Sequence, residues 1–200
     1  MALPSSGTIA LSDIKTEFSG PNTLTSYRRG AGYVRNHGVN SSIPSSGTIT
    51  IRNFLGASKN FVTTITPQQQ TIISGSFPNL TNNTYYGYLG GVDLVLSGFN
   101  RGPFGSSTQT QYGTSVSSTA STTFFGLYRW GEGNRLIFEL SGDYTSNPGI
   151  WTSITLGSTT YTRASVAVTP TYNSTYNYTL WYWTNVTSDM SSPSTLTITP

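Results

Sequence analysis

The chain has no cysteine and a single histidine among its 200 residues. Disulfides and thiolate metal sites are therefore excluded, and with them the small secreted scaffold held together by cross-links. A Ser-His-acid triad would have to use His37, which stands in a Gly- and Asn-rich stretch with nothing to orient it. Charge is scarce: 8% of residues are charged, against about 25% in an ordinary soluble domain. No segment approaches the roughly 18 apolar residues of a membrane helix. The opening MALPSSGTIALSD lacks a basic region followed by an apolar run, so no export signal is expected. Asn-x-Ser/Thr sites begin at Asn40, Asn79, Asn82, Asn173, Asn177 and Asn185. In a chain where about three in ten residues are Ser or Thr, such sites arise by composition alone.

What is present points to strands. Aromatics make up 13% of the chain, and there are 21 glycines. Thr, Tyr, Phe, Trp and Val suit pleated, half-buried surfaces, while Gly, Asn and Ser supply turns. The composition reads as all-β, and the length suffices for a real core.

One stretch is written twice. LPSSGTI at 3–9 returns as IPSSGTI at 43–49, forty positions later. Pro fixes one dihedral, Ser bonds nearby backbone and Gly accepts positive φ, so each copy opens with a turn. Alternating apolar residues follow, Ile9 with Leu11 and Ile49 with Ile51, then a short apolar segment and a glycine, Gly20 or Gly56. In the first copy Ser12 is the expected N-cap of a short helix that lays Ile14 and Phe18 on one surface. Lys15 stands where a capping box would need Glu. In the second copy Arg52 replaces Ser12, so its helix should be shorter or absent.

Residues 1–59 carry six basic and two acidic side chains, a net +4, whereas 60–200 carry four and five, a net −1. A basic segment on a nearly neutral body suggests docking to something acidic, protein or nucleic acid; the alternative is that the surplus only keeps an uncharged chain soluble. Apolar residues in 1–59 are thin and dispersed, which predicts an extended, mostly irregular adaptor arm with one short helix, ordered by what it packs against. YRRGAGYV, 27–34, spaces Gly30 and Gly32 as in a nucleotide loop, but no strand precedes it and no third glycine follows.

Residues 60–200 read as an antiparallel β-sandwich or jelly-roll-like body. Strands are expected at 61–66, 71–74, 85–89, 92–96, 109–117, 122–130 and 135–141. Residues 150–156 and 159–168 should form a hairpin whose two-residue loop, Gly157-Ser158, meets the demand of a type II′ turn. In that register Leu156 faces Thr159 and Ile154 faces Tyr161. Residues 176–184 form an aromatic strand apolar on both faces, covered on both sides within one body or on one side by another subunit. The run 195–199 could close an edge.

Chemistry is thin. Glu132, Glu139 and Asp143 lie within twelve residues and suggest a carboxylate pair acting on polysaccharide. Yet Glu139 in RLIFEL reads as a charge on a strand's solvent face, and Asp143 in SGDYTSNPG reads as a turn, so no catalytic residue, metal site or cofactor is expected. Trp181, Tyr182 and Trp183 are candidates for core or subunit interface, and the loop aromatics Phe104, Tyr112, Tyr144 and Trp151 for glycan contact.

LPSSGTIALSDI, YRRGAGYV and IPSSGTITIRNFLGAS together resemble the leading segment of many tailed-bacteriophage virion proteins, in particular tail, baseplate and fibre proteins. There LPSSGxIxLSDI, a YRxGGxxV-like stretch and IPxSGxIxxxxFxGAS occur together. Pro4, Ser6, Gly7, Ile9, Leu11, Ser12, Asp13 and Ile14 match the first element; Pro44, Ser46, Gly47, Ile49, Phe54, Gly56 and Ala57 match the third. The chain departs at Ala31, where the middle stretch has glycine, and at Thr50, Ile51, Arg52 and Asn53, where another SLSD is common. Residues 149–184 also resemble, less specifically, a module of such proteins.

The resemblance implies a non-enzymatic structural component of the virion tail, assembled in the host cytoplasm, with residues 1–59 docking and 60–200 projecting. The docking residues would be Leu3, Pro4, Ile9, Leu11, Ile14 and Phe18 from the first copy and Arg28 and Arg29 from the middle stretch. The second copy would add Ile43, Pro44, Ile49, Ile51 and Phe54. Expected partners are other tail or baseplate proteins and further copies of the chain, as a homotrimer first and a hexameric ring next. Neither nucleic acid nor membrane is expected as a partner. The alternative is a carbohydrate-binding receptor module at a fibre tip, recognising host surface glycan. A polysaccharide-cleaving spike is a third reading, which the short length disfavours.

Overall fold

The computed structural model describes residues 2–74, 81–90, 93–95, 99–101, 103–116, 118, 120–131, 134–147, 150–167, 169–186 and 190–200. Expected strand ends at Val92, Leu96, Ser117 and Val168 lie outside the described residues, as do Asn79 and Glu132.

The first sixty residues fold into a lobe. Helix α1 is Leu11–Phe18. Its N-cap is Ala10 rather than Ser12, because Asp13 stands three residues on and its Oδ2 accepts the Ala10 N–H at 2.7 Å. Ser12 lies inside the first turn, where its carbonyl accepts the Thr16 hydroxyl at 2.9 Å. The helix ends at Ser19, in the left-handed region at φ 56°, whose N–H donates to the Lys15 carbonyl at 2.8 Å. In the second copy the helix shrinks to the 3₁₀ turn Ile51–Phe54, as Arg52 led one to expect. Its cap repeats the first one forty residues on, with the Thr50 N–H donating to Asn53 Oδ1 at 2.7 Å.

The expectation of an extended arm with dispersed apolar residues is corrected here. The backbone is largely irregular, but Leu3, Ile9, Ile14, Phe18, Tyr27, Val34, Ile43, Phe54 and Ala57 converge on one buried cluster. They converge because the two copies pair head to tail: the Leu3 N–H donates to the Ala57 carbonyl and the Gly56 N–H to the Pro4 carbonyl, both at 2.9 Å. Ile14 and Phe54, forty residues apart, are both fully buried. Tyr27 meets Phe54 edge-on at 6.2 Å, and Phe18 meets it at 6.3 Å. Each such side chain contributes about 1.5–3 kcal/mol on burial, so the lobe has a buried core of its own.

The described strands of the body are β1 (Phe61–Thr66), β2 (Gln68–Ser74), β3 (Thr81–Leu89), β4 (Asp93–Val95), β5 (Phe99–Arg101), β6 (Ser106–Ser107), β7 (Gln111–Gly113), β8 (Ser121–Trp130), β9 (Arg135–Ser141), β10 (Ser153–Leu156), β11 (Thr159–Thr162), β12 (Thr171–Asn173), β13 (Tyr178–Trp183) and β14 (Ser194–Thr199). One antiparallel sheet runs in the order β11, β10, β14, β1, β6. The other runs β12, β13, β9, β8, β3, β2, with β7 also pairing with β8; β4 and β5 pair separately. The fold is all-β and sandwich-like. The β10–β11 hairpin keeps the expected register, Ile154 opposite Tyr161 and Leu156 opposite Thr159, around Gly157 at φ 58°. The expected edge at 195–199 is corrected: β14 lies between β10 and β1, because Leu196 and Ile198 are both core residues and both sides of the strand are paired.

Between the sheets Trp151 is the hub. Its ring lies 5.2 Å from Phe138, 5.5 Å from Trp181 and 5.8 Å from Trp183. A second layer covers the outer face of the larger sheet with Tyr85, Leu89, Phe104, Tyr128, Ile137, Tyr178, Leu180 and Tyr182. All six residues of β13 are buried, so the two-faced aromatic strand is covered on both sides. Glu139 belongs to this outer layer. The expected solvent-facing charge is instead fully buried, and the Tyr128 hydroxyl donates to its Oε1 at 2.5 Å.

Candidate docking surface

With its core closed, the lobe presents only part of what its sequence suggested. Leu3, Ile9, Ile14, Phe18, Ile43 and Phe54 are buried within the lobe and cannot meet a partner; as docking residues they are corrected to core. Pro4 and Ile51 are exposed, and Leu11, Pro44 and Ile49 are half-buried. Arg29 is engaged internally, its Nε donating to the Ile43 carbonyl at 3.1 Å and its Nη1 to Asn36 Oδ1 at 2.6 Å. Arg28 is half-buried, while Lys15, Arg52 and Lys59 are exposed.

The Ser-Ser-Gly-Thr segments at 5–8 and 45–48 are exposed in both copies. Gly7 has φ 90° and Gly47 φ 74°, and a Cβ on either would meet nothing within 4 Å. These two turns therefore need glycine for their backbone and touch nothing of the lobe at that point. Beside the first turn is a cleft of about 220 Å³ lined by Gly7, Thr8, Ile9, Ile51, Arg52 and Leu55, where the two copies meet.

The lobe is pinned to one end of the sandwich by its middle stretch. Arg35 Nη1 donates to the Thr114 carbonyl at 3.0 Å, Gln111 Nε2 to the Asn36 carbonyl at 3.0 Å, and the Gly32 N–H to the Val116 carbonyl at 2.7 Å. At the centre is His37, fully buried, with its ring 4.9 Å from Tyr112 and 5.8 Å from Phe61. Its Nδ1 accepts the Gly113 N–H at 2.9 Å, which fixes the neutral tautomer with the proton on Nε2. Burial, reinforced by the nearby Arg35 charge, depresses its pKa to about 3. The lone histidine is thus a neutral structural pin. Asn40 seals the same joint: its Nδ2 donates to the Arg35 and Ser58 carbonyls at 3.1 and 2.9 Å, and its Oδ1 accepts the Ser58 N–H at 3.0 Å. Fully buried, Asn40 offers no glycan acceptor.

The aromatic candidates are likewise relocated. Trp181 and Trp183 lie between the sheets and Tyr182 in the outer layer under the Arg135 guanidinium, 4.9 Å from its ring centre, so none is free to meet a second subunit. Phe104, Tyr112 and Trp151 are buried rather than displayed for glycan, and Tyr144 is half-buried against the core. Tyr112 is held there by its hydroxyl, which donates to the Ile150 carbonyl at 2.5 Å. Asp143 does sit in an exposed turn, its Oδ1 accepting the Thr145 N–H at 3.0 Å and hydroxyl at 2.7 Å. Sequence reasoning missed the paired caps, although extending the forty-residue offset to Asp13 and Asn53 would have found them. It also missed the His37 joint, for which no local pattern exists.

Comparison with known protein families, with curated proteins and with solved structures finds no match to this chain.

Proposed function

We propose that this chain is a non-enzymatic structural component of a phage tail, at the baseplate or fibre, in which the N-terminal lobe docks onto the tail and the β body projects or meets further copies of the chain. The observation that carries this reading is the pair of identical exposed turns on a lobe with a buried core of its own. Turn geometry accounts for Gly7 and Gly47, but the fold places no demand on the exposed Ser5, Ser6, Ser45 and Ser46 to be the same in both copies. A repeated contact with a partner does. Self-association, a homotrimer first, is part of the reading. It is supported by β2, an edge strand with no charged residue that exposes Ile73.

The test is particle incorporation. In lysates of a phage encoding it, the wild-type chain should cosediment with tailed particles. A Ser6→Arg, Ser46→Arg double variant should melt as the wild type does yet stay in the soluble fraction. Undiminished incorporation of that variant refutes the docking role of the turns, and absence of the wild-type chain from particles refutes the tail assignment.

A further inference from the structure

The larger sheet ends on β2, and among the described residues β3 is the only strand paired with it. In an antiparallel ladder alternate residues turn their N–H and C=O groups away from the partner, so the far side of β2 presents a row of backbone donors and acceptors. Natural sheets blunt such edges with short strands, charged residues, proline or a bulge. The strands at the other ends of the two sheets are short, four residues in β11, three in β12 and two in β6. β2 has none of these devices. It is seven residues long, QQQTIIS, without charge or proline, and its register to β3 runs unbroken from Gln68 opposite Gly87 to Ser74 opposite Thr81.

The side chains of β2 are as open as its backbone. Successive residues of a strand alternate between its faces. Ile72 packs against the outer aromatic layer, whereas Gln69, Thr71 and Ile73 share the opposite face and are all exposed. Ile73 is 64% exposed, against 38% for Tyr33 and Ile51, the other exposed large apolar side chains among the described residues. The most open of the three thus stands on the one long, straight, uncharged edge.

We infer that β2 pairs antiparallel with β2 of a second copy across a two-fold axis, so that the two larger sheets join edge to edge. Pairing all seven residues sets the register: Thr71 faces Thr71 of the second copy, Ile73 faces Gln69 and Ile72 faces Gln70. Thr beside Thr is a favourable cross-strand pair, no like charges meet, and the stem of Gln69 covers the exposed Ile73. A second copy is favoured over a foreign strand because β2 carries no charge with which to select one, and because an antiparallel strand matches itself in length and pattern at once. The pairing rests on the self-association in the reading above and not on the docking of the lobe. A two-fold contact joins chains in pairs, so a trimer in which every chain uses it becomes part of a six-chain assembly.

The chain has no cysteine, so single cysteines report the contact without background. Opposite residues of an antiparallel pair have Cα atoms about 4.5–5.5 Å apart, within the span a disulfide bridges. Under mild oxidation full-length Thr71→Cys should form a linked dimer, while Thr160→Cys, exposed on the β11 edge, should not. Gln69→Cys and Ile73→Cys should each stay unlinked alone, since like residues stand about 13 Å apart in this register, and should link when the two variants are mixed. In sedimentation velocity the wild type should associate reversibly, and Thr71→Lys, which sets two ammonium groups face to face, should weaken that association at least tenfold while remaining folded. A self-associating chain whose Thr71→Cys variant does not link, or links no faster than Thr160→Cys, overturns the pairing and leaves self-association to another surface. A wild type that stays monomeric at every concentration overturns both. Linkage of Thr71→Cys in particles only to a different tail protein assigns the edge to that protein and overturns the second copy.

Discussion

Protonating His37 should loosen the joint between lobe and body, and the size of the effect follows from its surroundings. Its ordinary pKa is about 6.5, and burial between Phe61 and Tyr112 holds it at about 3 in the folded chain. Above pH 6.5 the ring is neutral whether the chain is folded or not, so the joint contributes in full. Below that, the unfolded chain binds a proton that the folded one refuses until about pH 3, and stability falls across this window. The slope is about 1.4 kcal/mol per pH unit, or about 2 kcal/mol between pH 7 and pH 5. This is the only histidine, so no other side chain of ordinary pKa titrates in that interval. Urea unfolding of the wild type at pH 7, 6 and 5 measures the slope. His37→Asn, which keeps a neutral acceptor near the position of Nδ1, supplies the baseline. The variant should be weaker at pH 7 by about 2–4 kcal/mol from lost packing and should show little slope over the same range. In the native wild type the His37 Cε1–H resonance should not move between pH 7.5 and 4.5. A His37 titration near pH 6.5, or parallel pH profiles for wild type and variant, would refute the reasoning.

Three further outcomes follow from the same geometry. Gly7→Ala should cost about 1 kcal/mol, from its φ of 90° in open space. Gly87→Ala should cost about 3 kcal/mol or more, since its Cβ would lie 2.5 Å from the Leu127 carbonyl oxygen; thermal melts of the two variants test the contrast. Asp13→Ala should lose about 1 kcal/mol of cap energy in urea denaturation, and Asn53→Ala more, because Asn53 also donates to the Ser42 carbonyl at 3.1 Å. Asn40→Ala removes the partners of three backbone groups and should cost about 3 kcal/mol or more; the joint amides at Ser58 and Gly113 should then lose hydrogen-exchange protection ahead of β9.

Local chemistry alone determined a good deal of this protein. Gly157 set the β10–β11 hairpin and its register, because a turn that requires positive φ leaves one pairing for Ile154 and Leu156. The two-sided apolar pattern of 176–184 announced a strand covered on both faces, by the body itself or on one side by another subunit. Arg52 at the position of Ser12 led to the expectation of a shorter second helix, and it is shorter, although both helices are capped two residues earlier, at Ala10 and Thr50. The Pro-Ser-Ser-Gly turns came out as turns in both copies.

Convergence was decided only in three dimensions. Leu3, Ile14, Tyr27, Ile43 and Phe54 look dispersed along the chain, and nothing in their spacing says that two copies will pair head to tail and bring them into one core. Glu139 reads as a solvent-facing charge until the outer aromatic layer closes over it, and β14 reads as an edge until β10 and β1 arrive on either side. Trp151, Tyr112 and Phe104 looked like surface aromatics for the same reason. Burial depends on what approaches from distant parts of the chain, whereas turns, caps and strand alternation depend on neighbours a few residues away.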